Sequence, residues 1–184
     1  MKKTPRPPPR TGLRFVAVKR NLGGARHHGL LIAGAAVFPC ALGRAGLVRA
    51  KREGDGGTPV GAWRLLRFRH RPLRLRRAGL RVPASEIRQS DLWCDDPGSV
   101  FYNRPLRAPS RFRCERLWRD DALYDAVGVL GYNLQPPARG RGSAIFLHIA
   151  TQDLAPTAGC VALRARDMAR LAPRLARRAT LVIR

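Results

Sequence analysis

The stretch SAIFLHIATQDLAPTAGCVAL runs from Ser143 to Leu163. It opens on a continuous apolar run, Ser143–Ala150, interrupted by His148. It closes on a second short apolar run, Gly159–Leu163, that contains Cys160. Runs this short are strand lengths, and a buried strand needs no alternation. Between them, Pro156 and Gly159 punctuate a loop. Two buried strands joined by a loop set the expectation for the chain: short strands and turns, few helices.

The rest of the sequence reads the same way. Leu13–Val18 is a β-type run, and a turn with Gly23 and Gly24 follows it. Residues 30–43 predict one or two strands, and 44–50 another. Gly54, Gly56 and Gly57 mark a loop ahead of a strand from about Gly61 to Phe68. That loop is no phosphate-cradling P-loop, because Thr58-Pro59 and a strand follow it where Lys-Ser/Thr and a helix are required. Residues 69–121 are arginine-rich and read as irregular. Ala122–Asn133 predicts a strand. Arg164–Leu175 is the one notable helix, with Met168, Leu171 and Leu175 at helical spacing. Ala179–Arg184 closes as a strand. The predicted fold is mainly β: a single-domain β-sandwich or barrel-like unit over 13–184, behind a disordered, basic, proline-rich tail over 1–12.

Composition bounds the partners. The 184 residues are 45% hydrophobic, enough for a core. Basic residues number 36 against 12 acidic, for a net charge of +24, and 32 of the 36 are arginine. Guanidinium pairs well with phosphates and carboxylates. A basic nucleic-acid-binding module therefore stands as a rival reading. Against it, the arginines are spread along the chain, do not alternate with aromatic residues, and match no nucleic-acid motif. Cys40, Cys94, Cys114 and Cys160 show no C-x-x-C spacing, so neither a zinc site nor any cofactor is expected. The longest apolar stretch, Leu30–Phe38, is far short of a spanning helix, so no membrane insertion is expected. No signal peptide is convincing either, since Pro39 and Cys40 interrupt the one apolar run that could serve.

His148 and Cys160 carry the chemical question. A free thiol has a pKa of about 8.5, so an imidazole that takes its proton makes it a nucleophile at neutral pH. That needs a cysteine on an accessible turn and a histidine on a rigid element. Gly159 lets the backbone approach a substrate, and the Gly159 and Cys160 amides suit a developing oxyanion. Such a pair supports acyl transfer through a thioester. On spacing alone, core packing is the commoner fate of both residue types.

The segment His148–Leu163 resembles the signature of the L,D-transpeptidase catalytic domain, the YkuD-type family. There a histidine precedes Ser/Thr-x-Gly-Cys-Val/Ile by a dozen or more residues. KREGDGGTPVGAW, Lys51–Trp63, resembles the same family's Gly-Asp-x-x-Thr-Pro-x-Gly-x-aromatic segment. With WCDDP, VLGYN and GSAIFLH, the resemblance extends over about Phe15 to Arg184. It implies a β-rich fold and an enzyme that cross-links or trims peptidoglycan stem peptides. By that resemblance Cys160 is the nucleophile, His148 the base, Gly159 the oxyanion position and Thr157 a supporting hydroxyl. Transpeptidation and hydrolysis, as a carboxypeptidase or amidase on muropeptides, both stay open. Tyr132, Asn133, Arg164, Asp96 and Tyr102 are candidates for substrate contact. Ala158 and Ala162 stand where many members carry histidine and arginine. The resemblance implies the periplasm or cell envelope; without a clear signal peptide, the cytoplasm stays open.

Overall fold

The computed structural model describes residues 12–72, 74 and 79–184. Apart from Gly12, the predicted tail lies outside the described residues.

The first half of the chain is a run of alternating strands. In β1 (Leu13–Arg20), Val16 and Val18 are buried while Phe15 and Lys19 face solvent. β2 (His28–Ala33) buries Gly29, Leu31 and Ala33, and β3 (Ala36–Ala41) buries Phe38 and Cys40. β2 and β3 form a tight hairpin, with Gly34 at φ +63 in its two-residue turn. β4 (Leu47–Val48) and β5 (Thr58–Pro59) are two-residue partners in parallel. β6 (Gly61–His70) is the longest strand.

The described residues of the 55-residue excursion between β6 and the next long-range strand include four short strands. They are β7 (Ala84–Glu86), β8 (Asp91–Cys94), β9 (Pro105–Arg107) and β10 (Cys114–Arg116). The stretch predicted as irregular is thus a built layer, in which β8 pairs with β9 and β10. Strands of three or four residues are too short to leave a periodicity. The chain then returns as β11 (Ala126–Leu130), β12 (Phe146–Ile149) and β13 (Val161–Leu163). β11 is shorter than the predicted Ala122–Asn133, because Ala122 and Asn133 take positive φ, outside strand geometry. The helix α1 (Ala165–Leu171) also ends early. Pro173 cannot donate to a continuing helix, so Ala172–Arg174 tightens into a 3-10 turn. β14 (Leu175–Ile183) begins at once, so Leu175 belongs to a strand.

The large sheet runs β11-β12-β13-β3-β2-β1-β14-β6-β7, and β11 pairs back onto β6. The ring therefore closes into an eight-stranded barrel with β7 attached outside it. Leu31, Phe68, Leu147, Val161 and Leu181 fill the barrel core, joined by Met168 and Leu171 of α1.

A second core lies on the outer side of β11 and β12. There Val127, Val129 and Phe146 meet Trp93, Leu117 and Tyr124 from the excursion. Successive strand residues face opposite ways. Leu147 points into the barrel, so Phe146 and His148 point out beneath the second layer. Both faces of β12 are covered, which is why its sequence shows no alternation.

Candidate active site

β12 and β13 run parallel, with Leu147 opposite Val161 and His148 opposite Ala162. One step back in that register, Cys160 falls beside Phe146. His148 is then two residues along, on the same outer face. Diagonal neighbours of this kind are about 7–8 Å apart at Cα, within reach of side chains.

The cysteine's conformation follows from bonds made by distant residues. Thr157 Oγ1 donates to the Cys160 carbonyl at 2.8 Å, and Thr58 Oγ1 donates to it at 3.3 Å. Thr157 Oγ1 also accepts from the Gly159 amide at 3.1 Å, and Thr58 Oγ1 accepts from the Gly43 amide at 2.8 Å. Gly159 sits at φ +141, and a Cβ there would lie 2.7 Å from the Gly57 carbonyl oxygen. Only glycine lets the cysteine turn press this closely on the Gly56-Gly57 backbone. Asp55 ties that backbone down. Its carboxylate accepts from the Arg52 amide at 2.7 Å, the Gly57 amide at 2.8 Å and Lys51 Nζ at 2.5 Å. Burial opposes its charge, but these donors together hold its carboxyl below the usual range. Asp55 holds a turn ahead of Gly56, and Thr58 adds a brace on the cysteine loop.

So held, the Cys160 side chain turns toward the start of β12. Its Sγ accepts from the Phe146 amide at 3.3 Å and donates to the Ala144 carbonyl at 3.2 Å. Ala144 takes φ +51 and is anchored in turn by Asn103. Asn103 Oδ1 accepts from the Ala144 amide at 3.0 Å and from Trp93 Nε1 at 2.9 Å. Its amide nitrogen donates to the Tyr132 and Asn133 carbonyls. One buried asparagine therefore joins the second layer to the thiol's own partner.

Burial sets the protonation of both groups. It pushes the Cys160 thiol up to about 12, and the Phe146 amide and the Lys51 charge only partly offset it. It pushes His148 down to about 4, against the Ile149 and Leu123 carbonyls that favour the cation. The resting pair is a neutral thiol and a neutral imidazole. His148 Nδ1 lies 2.8 Å from the Ile149 carbonyl oxygen. A carbonyl can only accept, so Nδ1 carries the proton and Nε2 keeps its lone pair. The Tyr124 ring meets the imidazole edge-on at 5.2 Å between centroids. Its hydroxyl donates to Glu115 at 2.8 Å, and Arg119 lies over the same ring. Burial raises the Glu115 carboxyl.

Cys160 and His148 open into a common cavity of about 550 Å³. Thr157, Ala158 and Gly159 of the cysteine loop line it. Arg113, Glu115 and Arg119 line it too, with Arg44, Lys51 and Glu53. Ala158 and Ala162 both line it, so methyl groups stand where histidine and arginine are common in the family that the sequence resembles.

The five candidates for substrate contact lie outside this lining, and their side chains have structural partners. Tyr102 is buried, its hydroxyl on Glu53. Asp96 caps a turn through the Gly98 amide at 2.9 Å. Tyr132 packs edge-on against Trp63 and donates to the Arg141 carbonyl. Asn133 closes a loop onto the Ala138 and Gly142 carbonyls. Arg164 precedes α1 and donates to the Gln152 carbonyl at 3.0 Å. Tyr124, Glu115, Arg119 and Glu53 also meet the site, and no spacing in the sequence relates them to His148 or Cys160.

No curated protein and no solved structure matches the chain. The L,D-transpeptidase catalytic domain family, YkuD, matches residues 30–183. That span runs from β2 to the last residue of β14 and contains the Thr58 brace, the Cys160 loop and His148. The chain belongs to the L,D-transpeptidase catalytic domain (YkuD) family.

Proposed function

We propose that this protein is a cysteine-dependent L,D-transpeptidase acting on peptidoglycan stem peptides through a Cys160 thioester, with His148 as base. The observation that carries the reading is the shared outer face of β12 and β13. It sets Cys160 beside Phe146, with His148 two residues along, in one cavity.

In the first half-reaction, Sγ forms a bond to the carbonyl carbon of an L-centre as its proton passes to His148 Nε2. Charge gathers on the carbonyl oxygen, where the Cys160 amide suits an oxyanion; the Gly159 amide is already engaged by Thr157 Oγ1. The C–N bond to the terminal D-residue then breaks, and the leaving amine takes the proton from His148. In the second, an acceptor amine attacks the thioester carbonyl and gives its proton to His148. The C–S bond breaks and Sγ recovers a proton. Water in place of the amine gives hydrolysis on the same path. A neutral resting pair suits this order of events, because charge separates only once substrate is present.

The experiment is incubation with muropeptides bearing tetrapeptide stems, read by mass. Loss of the terminal residue with formation of a cross-linked dimer is expected. Loss without a dimer would make the enzyme a hydrolase. Equal turnover by Cys160→Ala would remove the mechanism.

A further inference from the structure

The charge of this protein is polarised. β1, β2, β3, β6 and β14 are consecutive across the barrel apart from sequence order, and none carries an acidic residue. All 12 acids lie between Glu53 and Asp167.

The outward face of those five strands is also apolar along one line. The registers align Val37 with Ile32, Ile32 with Ala17, Ala17 with Val182 and Val182 with Ala62. That row crosses all five strands without a polar side chain. Phe15, in the next row, is 64% exposed, and Val37 is 54% exposed. Basic residues border the row: Lys19 lies opposite Leu30 on one side, and Arg64 opposite Thr180 on the other. At the Arg64 edge a cavity of about 470 Å³ is lined by Arg64, Arg177, Arg178, Leu66 and Pro83, with no acid. No salt bridge among the described residues reaches those three arginines.

Arginines alone fit any polyanion. An exposed phenylalanine beside an unbroken aliphatic row gives nothing to a nucleic-acid backbone, but it suits the headgroup–acyl boundary of a bilayer. We propose that this face docks peripherally on an anionic phospholipid surface, with the Arg64–Arg177–Arg178 cavity taking a phosphate headgroup. β1 and β12 stand on opposite sides of the eight-stranded ring, so docking through β1 leaves the cavity of Cys160 facing away from the lipid.

The test is flotation of the full chain with vesicles of phosphatidylcholine alone, or of equal parts phosphatidylcholine and phosphatidylglycerol. Binding to the mixed vesicles only is expected. Each arginine near such a surface contributes about five-fold. The triple variant Arg64→Gln, Arg177→Gln, Arg178→Gln should therefore bind about a hundred-fold more weakly. Phe15→Ser, or Val37→Ser if the first variant loses its near-ultraviolet circular dichroism, should weaken binding with every arginine in place. Equal binding to both vesicles, or no loss in the triple variant, would overturn the proposal. So would a Phe15→Ser and Val37→Ser pair that binds vesicles like the parent while duplex DNA competes through the same arginines. That outcome would assign the face to nucleic acid.

Discussion

At the scale of single residues, the proposed chemistry rests on a pair kept neutral by burial. Removing the imidazole with His148→Gln should lower kcat by about 10²–10⁴, the usual worth of a positioned general base. Cys160→Ala should leave only background release of the terminal residue. Because burial holds His148 at about 4, the acid limb of kcat/KM belongs near pH 4 rather than near 6.5. A limb at 6.5 would mean an imidazole in contact with water. The same shift bears on stability. A histidine depressed in the folded state contributes stability that is complete above its unfolded pKa and is lost as pH falls through about 4. Cys160 is raised, so its contribution is complete below 9.0 and is lost as pH rises through about 12. Melting temperatures between pH 7 and 4 should fall less for His148→Gln than for the parent. Cys160 and His148 were readable in the sequence as candidates because the signature it resembles carries both, and the structure places them in one cavity. Tyr124 and Asn103 act on them from across long chain separations, and nothing local to either residue marks that role. Resting thiol reactivity would not have found Cys160 either, since Cys114 is the more exposed thiol.

At the scale of elements, the cysteine loop is held by segments that fold elsewhere. Thr58→Val removes a hydroxyl that bridges the Gly43 amide and the Cys160 carbonyl. The buried Gly43 amide then goes unpaired, at a cost of about 1–3 kcal/mol. Activity should fall while the fold persists, as circular dichroism and kcat together would tell. Gly159→Ala should be worse, since it adds both positive-φ strain and a collision with the Gly57 carbonyl. Asn103→Ala orphans the Trp93 and Ala144 donors in the second layer. We expect about 3 kcal/mol of destabilisation, read as a drop in melting temperature of about 6–12 °C. β1, β6, β12 and the final strand were readable from apolar runs. The second layer was not, because β8, β9 and β10 owe their existence to pairing with one another rather than to periodicity. The helix was placed correctly at its start, but its end depended on Pro173, and its register extension to Leu175 was a strand.

At the scale of the molecule, a closed barrel carries two different outer faces. One is covered by the excursion between β6 and β11 and holds the cavity; its lining mixes Arg44, Arg113 and Arg119 with Glu53, Asp95 and Glu115. The other is left uncovered by the described residues, and its five strands carry no acid. Net charge reported the excess of arginine but not this division, which arises only when strands distant in sequence become neighbours in the ring. Barrel as opposed to sandwich was likewise beyond reach of the sequence, because closure rests on one pairing, β11 with β6. The claim that matters most is that acyl transfer passes through Cys160. Mixing the protein with a tetrapeptide-stem muropeptide, quenching in acid and mapping the adduct by mass tests it directly. The expected result is a stem peptide lacking its terminal residue, attached at Cys160 and absent from Cys160→Ala. Turnover of the muropeptide with no adduct at Cys160, or undiminished in Cys160→Ala, would contradict it.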